Sequence, residues 1–249
     1  MPENQAMAVE AVNRRLAERA REPTTLAWRL VDKLGGRYSS ELGIDVDAGE
    51  AEVERWFLAS TLFGNRIGAS VVERTFGVLE DAGLVRIGQA RHVPFGDLVE
   101  LLDRGGYTRY DFLTANRLSE LSEVVDERYE GQVAAIGRRF RSYRTLREGL
   151  DALPGWGPVT VDVFLRELRG VWTGARPPLN ARADRSACHL GLLGPSSEGE
   201  QLQNLRRLAG RAHVDARDLE SALVRLALAH HGRIESCRGG GACVILSGE

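Results

Sequence analysis

The chain has 249 residues, 43% of them hydrophobic and 27% charged, so it is long enough to bury one large core or two smaller ones. No apolar run approaches the roughly 20 residues of a membrane-spanning helix, and the start, Met1-Pro2-Glu3-Asn4, lacks the basic-then-apolar order of a secretion signal; a cytoplasmic, nucleoid-associated location is the expectation. A formal net charge of −2 excludes a polycation, so any nucleic-acid surface must be a local patch.

Taken in order, the elements read as helix after helix, with almost no period-2 stretches. Apolar residues recur at helical spacing from Met7 to Ala20. A helix is expected over Thr24–Leu34, stopped by Gly35-Gly36, and an apolar one over Ala51–Leu62. Gly68–Ala82, Pro94–Leu102, Asp111–Tyr129 and Gly131–Phe140 follow, with Pro94 suited to a first turn. Leu146–Leu153 and Pro158–Leu168 form a pair joined only by Pro154-Gly155-Trp156-Gly157. A Pro-rich connector from Thr173 to Pro178 leads to helices over Asn180–Leu190, Glu200–Ala212 and Asp215–His230, then a glycine-rich tail. The fold class is therefore all-α.

Leu153-Pro154-Gly155-Trp156-Gly157-Pro158 is the most informative stretch. Glycines without Cβ atoms permit unusual dihedrals and close approach. Pro158 suits the first helical position, and the N–H groups of Val159 and Thr160 at that helix start, with the helix dipole, favour an anion. One phosphate of a DNA strand fits, with a monovalent cation as a possible companion. Upstream, Arg138, Arg139, Arg141, Arg144 and Arg147 with Phe140 and Tyr143 look like a surface that tracks a phosphate backbone, blind to sequence. An αα-corner with no ligand and a solvated helix face are the plainer alternatives.

From about Trp56 to Cys243 the chain resembles the helix-hairpin-helix DNA glycosylases, in particular the endonuclease III branch. Four ordered pieces carry the resemblance: Phe57-Leu58-Ala59-Ser60-Thr61-Leu62-Phe63-Gly64-Asn65-Arg66, Gly106-Tyr107, the hairpin, and His231-Gly232-Arg233 with Cys237. It implies a six-helix barrel over 50–170, with the helix-hairpin-helix at 146–168, and a second helical domain from 1–49 and 171–249. It also implies a DNA cleft between the two, a flipped base, and double-stranded DNA with a damaged or modified base as partner of a monomer. Asn65 and Arg66 then match the turn that enters DNA, Arg141 and Arg144 line the backbone, and Tyr107, Tyr110 and Asp111 fall where a base pocket forms.

The departures matter as much. The lysine of bifunctional relatives falls at Val159, and Lys33 is the only lysine among 33 Lys plus Arg, so Schiff-base chemistry has no evident nucleophile. The aspartate that activates water or stabilises the sugar cation falls at Asn180, or at Asp184 if the register slips by a turn. Asn180 is expected to cap its helix, and Asp162 to be structural or exposed. The implied iron–sulfur loop needs four thiolates, whereas the tail holds only Cys237 and Cys243, with Cys188 elsewhere. No cluster and no bound metal is the expectation. His230 or His231 would complete a zinc donor set on paper, but the spacing matches no familiar pattern. The chain thus reads as a hydrolytic glycosylase, as a DNA-binding relative without chemistry, or as a glycosylase with relocated catalytic residues.

Overall fold

A computed structural model describes residues 22–64 and 67–247. The helix expected over Met7–Ala20, and Asn65 and Arg66, lie outside them. The described residues are all-α, with no strand. No helix among them is long and apolar enough to cross a membrane.

The chain divides into two compact units, one spanning Tyr38–Pro177 and the other built from the segments on either side of it. The sequence places the boundaries near 49/50 and 170/171; side-chain anchoring explains the difference. Buried Glu167 accepts the Tyr38 N–H at 2.8 Å and the Ser39 N–H at 2.9 Å, drawing that segment into the central unit. Buried Arg169 donates to the Pro177 carbonyl at 3.1 Å, which holds the connector there too.

The central unit runs through α2 (Tyr38–Glu41), α3 (Glu50–Leu62), α4 (Ala69–Asp81), a 3-10 segment (Ile87–His92), α5 (Phe95–Gly105) and α6 (Asp111–Tyr129). It closes with α7 (Val133–Arg139), α8 (Tyr143–Asp151) and α9 (Pro158–Glu167). Helix α3 lies at its centre because its later residues are apolar or small all round: Val53 and everything from Trp56 to Leu62 is buried. Its aromatic side chains meet α9, with the Trp56 indole N–H donating to the Phe164 carbonyl at 3.3 Å. Phe57 meets the Phe164 ring edge-on at 5.5 Å.

The flanking unit contains α1 (Pro23–Leu34), α10 (Ala181–His189), α11 (Glu198–Arg211), α12 (Ala216–Ala229) and α13 (Val244–Ser247). Short 3-10 turns at Ile234–Ser236 and Gly240–Ala242 lie in the tail. Leu26 and Leu30 of α1, Ala183 and Ala187 of α10, Leu205 and Leu208 of α11 and Leu219 and Leu223 of α12 share one apolar core. Each pair is three or four residues apart, the spacing that puts side chains on one helical face.

Candidate nucleic-acid interface

The hairpin is built from its flanks inward. Helix α8 starts at a Ser142 cap whose Oγ accepts the Thr145 N–H at 3.2 Å. Leaving α8, the Leu153 N–H bonds the Leu150 carbonyl at 3.0 Å and the Trp156 N–H bonds the Leu153 carbonyl at 3.1 Å, which tightens the turn. The sequence reading counted Leu153 and Trp156 among DNA contacts; both side chains are instead buried. The Trp156 ring stacks on Phe57 at 4.5 Å, meets Phe164 edge-on at 5.2 Å, and its N–H donates to Thr61 Oγ1 at 3.3 Å. These residues anchor the turn in the core and leave it backbone to offer.

The two glycines differ. Gly155 has φ +74°, a conformation L side chains rarely adopt, and a Cβ there would sit 2.7 Å from Cδ of Arg117. Gly157 is extended at φ −155°, and a Cβ there would meet nothing within 4 Å. Of the two glycines, both free to take unusual dihedrals, only Gly155 adopts one; at Gly157 there is simply open space.

Pro158 is the first residue of α9, and among the described residues no side chain caps that start. The first i→i−4 bond runs from the Val161 N–H to the Gly157 carbonyl at 3.0 Å. The N–H groups of Val159 and Thr160 precede it and have no acceptor within the helix. Val159 is 57% exposed. Thr160 is buried, its Oγ1 2.9 Å from where a Gly64 Cβ would stand, so the turn after α3 closes against the hairpin. Gly64, Arg117 and the Gly155–Thr160 backbone line an open concavity of ≈410 Å³. Uncapped N–H groups and a helix dipole at one opening, with Arg117 in its wall, suit an anion.

Arg117 was not among the sequence candidates. It sits inside α6, distant in the chain from the hairpin, and nothing local in the sequence announces it.

The arginine run is divided by the fold. Arg138 pairs with Glu50 at 2.8 Å and bonds Gln132 at 2.9 Å, and Arg139 lies over the Tyr129 and Phe140 rings at 5.8 and 5.5 Å. Arg141, Arg144 and Arg147 are exposed beside the start of α8.

Of the proposed base-pocket residues, Tyr107 is fully buried, and its hydroxyl donates to the Leu62 carbonyl at 2.6 Å. It is a core side chain, a correction to the sequence reading. Tyr110 is half-buried against the core with the Arg109 guanidinium 5.4 Å above its ring. Asp111 is half-buried at the start of α6, where its Oδ1 accepts the Phe112 N–H at 2.7 Å.

The candidate carboxylates lie in the flanking unit. Asn180 caps α10 as expected, its Oδ1 accepting the Arg182 N–H at 2.8 Å, and its own N–H donates to Glu220 at 2.9 Å. Asp184, one turn later, is half-buried, and its Oδ1 is buried with no hydrogen-bond partner among the described residues. Asp162 of the central unit stands 3.9 Å from Arg166, the structural role expected of it. Lys33 Nζ donates to the Leu246 carbonyl at 3.3 Å.

No family model and no curated protein matches the chain. Its function must therefore be argued from these residues.

The flanking unit also gathers a second group. His189 at the end of α10, His230 at the end of α12, and Cys237 and Cys243 of the tail bring their ligand atoms within 4.8 Å of one another. Cys188 points elsewhere and is exposed, as is His231. Burial works to raise the Cys237 thiol. Hydrogen bonding, from the Gly239 backbone first, outweighs that and brings it down to about 6. His189 had no place in the sequence reading, because it lies a whole helical hairpin upstream of the cysteines.

Proposed function

We propose that the protein is an endonuclease III-like DNA N-glycosylase that grips duplex DNA through the α8–α9 hairpin and hydrolyses the glycosidic bond of a flipped, damaged or modified base. The observation that carries the reading is the uncapped start of α9 at Pro158, which opens onto a concavity lined also by Arg117. A DNA phosphate suits such a helix start. A monovalent cation at the turn would add positive charge beside the phosphate.

Val159 at the lysine position and the engagement of Lys33 with the Leu246 carbonyl favour hydrolysis over lysine attack. In that reaction water adds to C1′ as the C–N bond breaks, and the base departs with the bonding pair and takes up a proton. A carboxylate stabilises the intervening sugar cation and accepts the water proton. Asp184 is the residue we assign to it, because its buried Oδ1 has no hydrogen-bond partner among the described residues.

A second reading is favoured by Asn180: the side chain at the family's aspartate position is an amide already spent on capping α10. It describes a lesion-binding protein without chemistry. Duplexes carrying single damaged or modified bases, treated with alkali after incubation, separate the two. The glycosylase yields breaks only after alkali, lost in Asp184→Asn, and no adduct after borohydride reduction. Tight, lesion-selective binding without product from any duplex supports the second reading. A borohydride-trapped adduct overturns the assignment of hydrolysis.

A further inference from the structure

We propose that His189, His230, Cys237 and Cys243 form a closed structural zinc site that fastens the tail onto the ends of α10 and α12. It stands apart from the DNA reading and depends on none of it.

The donor set is the first argument. Two thiols and two imidazoles are a set that zinc takes in structural sites, four protein ligands with no position left for water. Zinc bonds of about 2.0–2.3 Å place tetrahedral ligand atoms about 3.3–3.8 Å apart. Cys243 Sγ already lies 3.5 Å from His230 Nε2, and the whole set converges within 4.8 Å.

Orientation is the second. His230 Nδ1 lies 2.8 Å from the Leu226 carbonyl, which can only accept, so the ring proton sits on Nδ1 and the Nε2 lone pair faces Cys243. A backbone carbonyl that fixes the ring and its tautomer in this way is the usual companion of a metal-bound histidine. His189 Nε2 is buried with no hydrogen-bond partner among the described residues, a cost that a core normally avoids.

The tail is also shaped to come close. Gly239 has φ +69°, and a Cβ there would stand 2.3 Å from the His189 carbonyl oxygen and 3.3 Å from the imidazole. Only glycine lets the chain between the two cysteines pass the end of α10 at that distance.

The iron–sulfur cluster implied by the resemblance does not fit. Each iron of a four-iron cluster takes its own thiolate, which spreads the sulfurs over the cluster's corners. Here two of the four donors are imidazoles, and all four ligand atoms lie within 4.8 Å of one another. Soft thiolates with imidazoles select zinc over the oxygen-seeking magnesium and calcium.

The test uses the full chain, with elemental analysis after desalting and cobalt(II) reconstitution of chelated protein. The expected result is about one zinc per chain. It falls at least about tenfold in Cys237→Ser and in His189→Ala and is retained in His231→Gln, whose side chain lies outside the set. Cobalt(II) should give the intense visible bands of a tetrahedral centre with thiolate charge transfer, a readout on the unmodified chain that does not depend on how the variants fold. Zinc no higher in the wild type than in Cys237→Ser, or iron with inorganic sulfide, would overturn the site. A pale six-coordinate cobalt spectrum or a Cys237–Cys243 disulfide in the purified protein would do the same.

Discussion

Two glycines of the hairpin meet different surroundings, and only one bears a conformational demand. The structure assigns it to Gly155, at φ +74° against the Arg117 side chain, and leaves Gly157 extended in open space. A left-handed conformation costs a residue with a Cβ about 1–2 kcal/mol. Gly155→Ala is accordingly expected to lower the melting temperature by about 2–8 °C and to weaken duplex binding by displacing Arg117. Gly157→Ala should leave stability unchanged while adding bulk at the mouth of the concavity. Thermal unfolding followed by a binding isotherm on both variants checks this, and equal destabilisation by the two would refute the distinction. Trp156 and Tyr107 were misplaced for a related reason: both have polar tips that suit a ligand, but Thr61 and the Leu62 carbonyl take those tips inside the core. Burial of an aromatic is decided by partners such as Phe57 and Phe164, which the local sequence does not name.

At the scale of elements, helical periodicity was legible and short anchored segments were not. The expectation for α6 agrees with the structure at both ends, Asp111 and Tyr129, because nineteen residues carry an unmistakable pattern. The four-residue α2 has no period to read, and is held by the acceptors of Glu167. Helix starts depend on caps, and one of them makes a pH prediction. Asp215 caps α12, accepting the Arg217 N–H at 2.7 Å and pairing with the Arg217 guanidinium at 2.7 Å. Burial works against its charge. The hydrogen bonds from Arg217, side chain first and then backbone, and the charges of Arg217 and Arg37 outweigh burial and hold the carboxyl below its ordinary value. A carboxyl depressed in the folded state favours folding while it is ionised, so its contribution is present above the unfolded value of about 3.9 and is lost as pH falls through the folded one. Asp215→Asn keeps an acceptor at the cap but removes the charge. Urea unfolding should find it less stable than the wild type at neutral pH, with the gap closing as pH drops below about 4. A gap that persists undiminished in acid would mean that the ion pairs contribute nothing.

At the scale of the whole molecule, a net charge of −2 means that no general field would draw in DNA, so the proposed binding must rest on local geometry. The all-α class follows from the order and period of the helices, whereas a division into two domains entered only through the resemblance. What the sequence hid is which of many arginines line the hairpin's concavity, because that depends on packing between distant helices. Arg138 pairs with Glu50, and Arg117, carried by α6, forms part of the concavity's wall. Each phosphate neutralised releases counterions and adds about 0.9 to the slope of log affinity against log salt. Arg117→Ala should therefore flatten that slope by about one phosphate's worth on undamaged and damaged duplexes alike, since a backbone contact carries no sequence information. Val159→Glu, which sets a carboxylate at the uncapped start of α9, should weaken binding by at least about tenfold at low salt, an opposing charge at a dipole end where an anion belongs. Arg138→Ala should leave the slope unchanged. If it flattens the slope as much as Arg117→Ala does, the affinity is a diffuse property of the arginine-rich surface and the hairpin is not where the phosphate sits.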